Sequence, residues 1–91
     1  PADGIVSRAI YSDDDVRVVH FTFAPGQQLS DHTAPWPATL EVVEGEATIT
    51  LADERVDAAA GTWIHMPASL PHSVVAKTPV VLLLHLLKRG G

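Results

Sequence analysis

"SDHTAPWPATLEVVEGEATITL", residues 30–51, decides how this chain is read. In its middle, Ala38, Leu40 and Val42 fall on one side of an extended strand and Glu41 on the other. Gly45 stands between Glu44 and Glu46 where the chain must reverse, and "EATITL" carries a second strand away. Ahead of both, His32 stands alone at the head of a proline corner, "APWP". The stretch therefore reads strand, corner, strand, tight turn, strand. It poses one chemical question: whether His32 is an arm of a metal site or the remnant of one.

Working outward, breakers rich in Gly, Pro and Asp recur roughly every 8 to 12 residues, the spacing of an all-β sandwich or barrel. No segment keeps a helical period. The predicted strands are "GIVSRAIY", "VRVVHFTFA", "QQLSDHTA", "ATLEVVEG", "EATITLA", "RVDA", "TWIHMP", "HSVVA" and "VVLLLHLL". Between them lie turns such as "SDDD", "APG", "EGE", "ADER", "PASLP" and "AKTP", each with Gly, Pro, Asp or Glu at the reversal. Two strands break the alternation expected of a sheet with one wet face: "VVLLLHLL" is apolar on both faces and "HFTFA" nearly so. In a chain this small the second cover is most economically another copy, so a homodimer is expected through the outer face of the last strand.

The 91 residues allow one domain, residues 1–91, with one core. A chain of this size buries only about 60–65% of its unfolded surface, which makes a monomer marginal. Hydrophobic residues make up 46% but aromatics only 5%, so the core must be aliphatic. With no cysteine there is neither disulfide nor thiolate ligand. The net charge of −5 and the absence of a basic patch exclude nucleic acid as the expected partner. No run approaches the roughly 18–20 apolar residues of a membrane helix, and no export signal is visible. No membrane association is expected, and the expected location is the cytoplasm.

Two stretches carry a resemblance. In "PGQQLSDHTAPWPATLEVVEG", Gly26 is followed by five residues and then His32, and Gly45 closes the pattern in "VVEGEATITL". In "GTWIHMPASLPHSVVA", Gly61, Pro67 and His72 keep a second spacing in register, with Ser69 where that pattern has glycine and Ala76 where it has asparagine. Together these resemble the two motifs of the cupin superfamily, over roughly residues 16 to 87. The chain is similar to small single-domain cupins of the conserved-barrel type. The resemblance implies a small antiparallel double-stranded β-helix, the jelly-roll barrel.

It also implies a site. Metal-binding cupins take two histidines and a glutamate from the first motif and a histidine from the second. Here the second-histidine position is Ala34, which strand parity places on the face of His32, and the glutamate position, seven before Gly45, is Ala38. Glu41 is offset from Ala38 by an odd number and should face the other way. The resemblance thus reduces the set to His32 and His72, as ligands of a divalent transition-metal ion. Ala34, Trp36, Ala38, Leu40, Val42, Ile64 and Met66 are expected to line an apolar pocket beside them, suited to a small, mostly apolar ligand with one polar group. The bland alternative is a relic pair in an apolar cavity. His65 should lie outside, because Thr62, Ile64 and Met66 resemble the residues that face the cavity in cupins. The facing of His20 and His85 stays open, and each of these three reads as a hydrogen-bonded core or interface histidine. No nucleophile elbow or phosphate loop exists. Two functions follow: a metal-dependent enzyme of oxygenase or isomerase type acting on a small molecule, or a non-catalytic cupin that binds a small ligand or metal.

Overall fold

The structure, a computed structural model, describes residues 4–88. Among these, nine strands follow in order: β1 (Ile5–Ser12), β2 (Val16–Phe23), β3 (Gln28–His32), β4 (Ala38–Glu44), β5 (Glu46–Leu51), β6 (Glu54–Ala59), β7 (Trp63–Met66), β8 (His72–Ala76) and β9 (Val80–Leu87). All pair antiparallel. They form a five-stranded sheet in the order β1-β2-β9-β4-β7 and a four-stranded sheet in the order β3-β8-β5-β6. This is the all-β architecture that the spacing of breakers predicts, in the jelly-roll form that the resemblance implies. The predicted β3 ran on to Ala34, whereas the strand ends at His32, because the Pro35–Pro37 corner cannot extend the ladder.

Period-two patterning turns directly into a closed interior. Ala38, Leu40 and Val42 of β4, Ala47 and Ile49 of β5, Val74 and Ala76 of β8, and Val80 and Leu82 of β9 are buried in one core with Phe23, Ala58 and Met66. The core is aliphatic apart from Phe23 and the flanking Phe21, whose rings sit 6.2 Å apart. Gly45, in the tight turn from β4 to β5, has φ +89, and a Cβ there would run into the Pro79 carbonyl oxygen. The turn therefore requires glycine both for its left-handed backbone and for the close approach of the segment before β9.

The last strand puts one of its two apolar faces into the core. β9 is the middle strand of the five-stranded sheet, with Val80 and Leu82 each 1% exposed on the inside. The alternate residues Val81, Leu83, His85 and Leu87 stand half-buried on the outside.

Candidate functional site

The two motifs meet inside the barrel. His32 closes β3 and His72 opens β8, and the two are direct partners across the β3–β8 ladder. Their rings stand edge to face, with centroids 4.0 Å apart and planes inclined by 60°. Each ring folds back on the main chain two residues before it. Nδ1 of His32 donates to the Ser30 carbonyl at 3.0 Å, and Nδ1 of His72 donates to the Leu70 carbonyl at 2.9 Å. A carbonyl oxygen only accepts, so each Nδ1 carries the hydrogen and each neutral ring keeps its lone pair on Nε2.

His72 is only 7% exposed, and burial foremost pushes its pKa below the ordinary histidine range. The nearby His32 adds to the depression, while the bond to the Leu70 carbonyl opposes it. The neutral imidazole is the form that accepts a hydrogen bond or binds a cation.

A cavity of about 20 Å³ open to the centre of a water molecule lies against the pair, enough for one or two waters. Phe21, Leu29 and Val74 surround it with Leu40, Met66, Leu82 and Leu84, and the two imidazoles are its polar side chains. Of the residues expected along the pocket, Leu40 and Met66 line it. Ala34, Trp36, Ala38, Val42 and Ile64 do not. Ala38 and Val42 occupy the same inward face of β4 as Leu40, one step to either side, and are closed into the core at 2% and 1% exposure. Ile64 is drawn into the packing around the core on the edge strand β7. Ala34 and Trp36 lie in the corner beyond the end of β3.

Phe21, Leu29, Val74, Leu82 and Leu84 are additions to the sequence reading. Val74 was reachable by parity from His72. Leu29 was not, because a register shift between Leu29 and His32 breaks the parity of β3. Phe21, Leu82 and Leu84 belong to strands apolar on both faces, where the sequence carries no signal of facing.

The remaining histidines face outward. His65 is exposed, and His65, Thr39 and His85 form one row across β7, β4 and β9, while His20 lies opposite Leu83 in the next row. Glu41 is exposed, as its offset from Ala38 requires. Among the described residues no group of three or more His, Cys, Asp or Glu is gathered as a metal site. The pair fits two positions of a borderline metal ion: two imidazoles, each oriented by a main-chain carbonyl that keeps the hydrogen on Nδ1. Ala34 and Ala38 supply nothing further.

The two sheets, the two motif turns and the histidine pair define a small jelly-roll barrel with its site between motifs. Residues 19–86 match the Cupin domain family, and the chain belongs to it. No curated protein matches the sequence. A conserved protein of unknown function from Streptococcus pyogenes has the same fold at 30% identity and TM-score 0.88, over 100% of this chain and 80% of that one. A cupin superfamily protein from Desulfitobacterium hafniense is 26% identical with TM-score 0.86, over 92% of this chain and 77% of its own. A salicylate 1,2-dioxygenase from Pseudoaminobacter salicylatoxidans, in adducts with gentisate, shares the fold alone, at 16% identity and TM-score 0.85 over 91% of this chain and 25% of that one.

Proposed function

We propose that this cupin binds a small, mostly apolar molecule bearing one donor atom, through a divalent transition-metal ion held by Nε2 of His32 and Nε2 of His72. The observation that carries the reading is the matched pair of back-bonded imidazoles facing an apolar cavity. Such an ion supplies Lewis acidity and open coordination positions. The chain's own part is to fix both tautomers, to hold His72 neutral by burial, and to surround the donor atom with hydrocarbon that excludes water.

The catalytic form of the reading is an oxygenase or isomerase acting on that molecule. The dioxygenase among the structural neighbours supports it only as a use to which this barrel is put. A non-catalytic binding role is favoured by one feature: the lining holds no carboxylate or hydroxyl beside the imidazoles to serve as a second acid or base.

The test is elemental analysis of protein purified without a histidine tag, followed by calorimetric titration with zinc, nickel and iron(II). Binding in the parent and its loss in both His32→Ala and His72→Ala is the expected result. Full metal occupancy in either variant would overturn the assignment. Chelation should leave the thermal midpoint nearly unchanged, because the aliphatic core and not the ion holds the barrel together.

A further inference from the structure

The outer face of the five-stranded sheet carries a charge pattern that the site does not explain. One row crosses all five strands: Arg8 on β1, His20 on β2, Leu83 on β9, Glu41 on β4 and Trp63 on β7. Its centre is apolar, its β1–β2 side carries a guanidinium and an imidazole, and its other side is acidic with an exposed aromatic. Leu83 is half-buried, and Trp63 is 61% exposed. The flanking positions of β9, Val81 and His85, extend the centre along the strand. Every described strand belongs to one of the two sheets, so the described chain has no element left to cover this face.

We propose that this face docks a second copy of the chain about a two-fold axis running parallel to β9, so that Glu41 of each copy lies over His20 of the other. Neighbouring strands lie about 4.8 Å apart and stacked sheets about 10 Å apart. His20 and Glu41 therefore flank Leu83 by about one strand spacing on opposite sides, and Arg8 and Trp63 by about two. A two-fold along β9 exchanges left for right. It sets Leu83 on Leu83, Glu41 against His20, and the Arg8 guanidinium over the Trp63 ring, a cation–π arrangement. A two-fold running across the strands would instead place each residue over its own copy, Glu41 on Glu41 and Arg8 on Arg8. Charge complementarity selects the first axis. The row then has the anatomy of an isologous interface, an apolar centre with a polar rim. The inference does not depend on what the barrel holds.

Sedimentation analysis of the full chain tests it. The parent is expected to be a dimer at low micromolar concentration, and Leu83→Glu a folded monomer. His20→Glu sets one carboxylate against another, that of Glu41, and Glu41→Lys sets an ammonium against the His20 ring. Each should self-associate about tenfold more weakly than the parent. Mixed together, the two variants should prefer the heterodimer, and the double variant His20→Glu with Glu41→Lys should regain parental affinity. A monomeric parent overturns the proposal, as does a dimer indifferent to all of these changes. Stronger self-association of Glu41→Gln, with Glu41→Lys no weaker than the parent, would show like residues stacked on like, and would overturn the axis.

Discussion

The site has two arms of unequal firmness. His72 opens β8, an interior strand held between β3 and β5, and is 7% exposed. His32 ends β3, an edge strand, after a register shift and before the proline corner, and is only half-buried. One arm is fixed by neighbours on both sides. The other is fixed by a single ladder and by the bond from the Ser69 amide to the Ala34 carbonyl, 2.8 Å long, which ties its corner to the turn before β8. The same side chain thus rests on two different mechanical supports. An interior strand protects a position by burial, whereas an edge strand leaves it adjustable.

The largest effects should come from removing an arm. His32→Ala and His72→Ala should both abolish tight metal binding, since two ligands leave no reserve. Their costs to the fold should differ. Loss of the buried His72 ring should destabilise the apo barrel by about 1–3 kcal/mol, and loss of His32 by less than about 1 kcal/mol. Chemical denaturation of the two variants side by side measures this, and equal costs would erase the distinction between the arms.

Next in size is restoration of what the first motif lacks. Ala38 faces inward on β4, 2% exposed, in register with Met66 and Leu86. Ala34 lies in the corner. The pair Ala34→His with Ala38→Glu should raise zinc affinity at least about tenfold, or about 1.4 kcal/mol. Of the single changes, Ala38→Glu should contribute more because its strand is fixed. Without metal it should also cost more than about 2 kcal/mol, since a carboxyl enters hydrocarbon, and zinc should recover that loss by mass action. Titration calorimetry and melting with and without zinc measure both effects. An affinity unchanged by either substitution would mean that neither position converges on the pair.

This contrast also marks how far the sequence could be read. The motif spacings, through the resemblance they carry, were enough to bring His32 and His72 together, because each glycine-to-histidine count places its histidine at one end of a strand beside a turn. Nine strands were legible because Gly, Pro and Asp mark every reversal. The cavity wall was less so. Ala34, Ala38 and Ile64 were assigned to it from positions that the resemblance supplies, Val42 with the inward face of its strand, and Trp36 from its place in the proline corner, and none of these states how deep along a strand the hydrocarbon closes. The register shift in β3 and the doubly apolar β2 and β9 hid Leu29, Phe21, Leu82 and Leu84 for the reason that periodicity carries no information there.

A smaller effect is expected from pH. Burial holds the pKa of His72 below its ordinary value, so the folded chain resists the proton that the unfolded chain accepts near about 6.5. The stability contributed by the neutral ring is therefore complete above that pH. It falls as the pH drops below it, and the loss stops once the folded form is protonated too. His72→Gln should flatten this part of the stability profile between about pH 7 and pH 5, relative to the parent. Metal affinity should decline over the same range, because a protonated Nε2 has no lone pair. An unchanged profile in the variant would assign the acid dependence to other groups.

The smallest effect concerns the link between the arms. Ser69 stands where the family pattern has glycine, and its φ is +65. It thus keeps the left-handed backbone that glycine would adopt freely, at a cost of about 1–2 kcal/mol for a residue with a Cβ. Ser69→Gly relieves that strain but gives the unfolded chain more freedom, which returns about 0.5–1 kcal/mol. The net gain should be less than about 1 kcal/mol, a rise of a few degrees in Tm for a chain of this length. The Ser69 amide and its bond to Ala34 are main-chain features that the substitution retains, so the geometry of His32 against His72 and any metal affinity should stay as they are. Thermal melting and titration of Ser69→Gly read the two quantities separately. A stabilised turn with weakened binding would show that strain at Ser69 holds the corner in place, and that the softer arm depends on it.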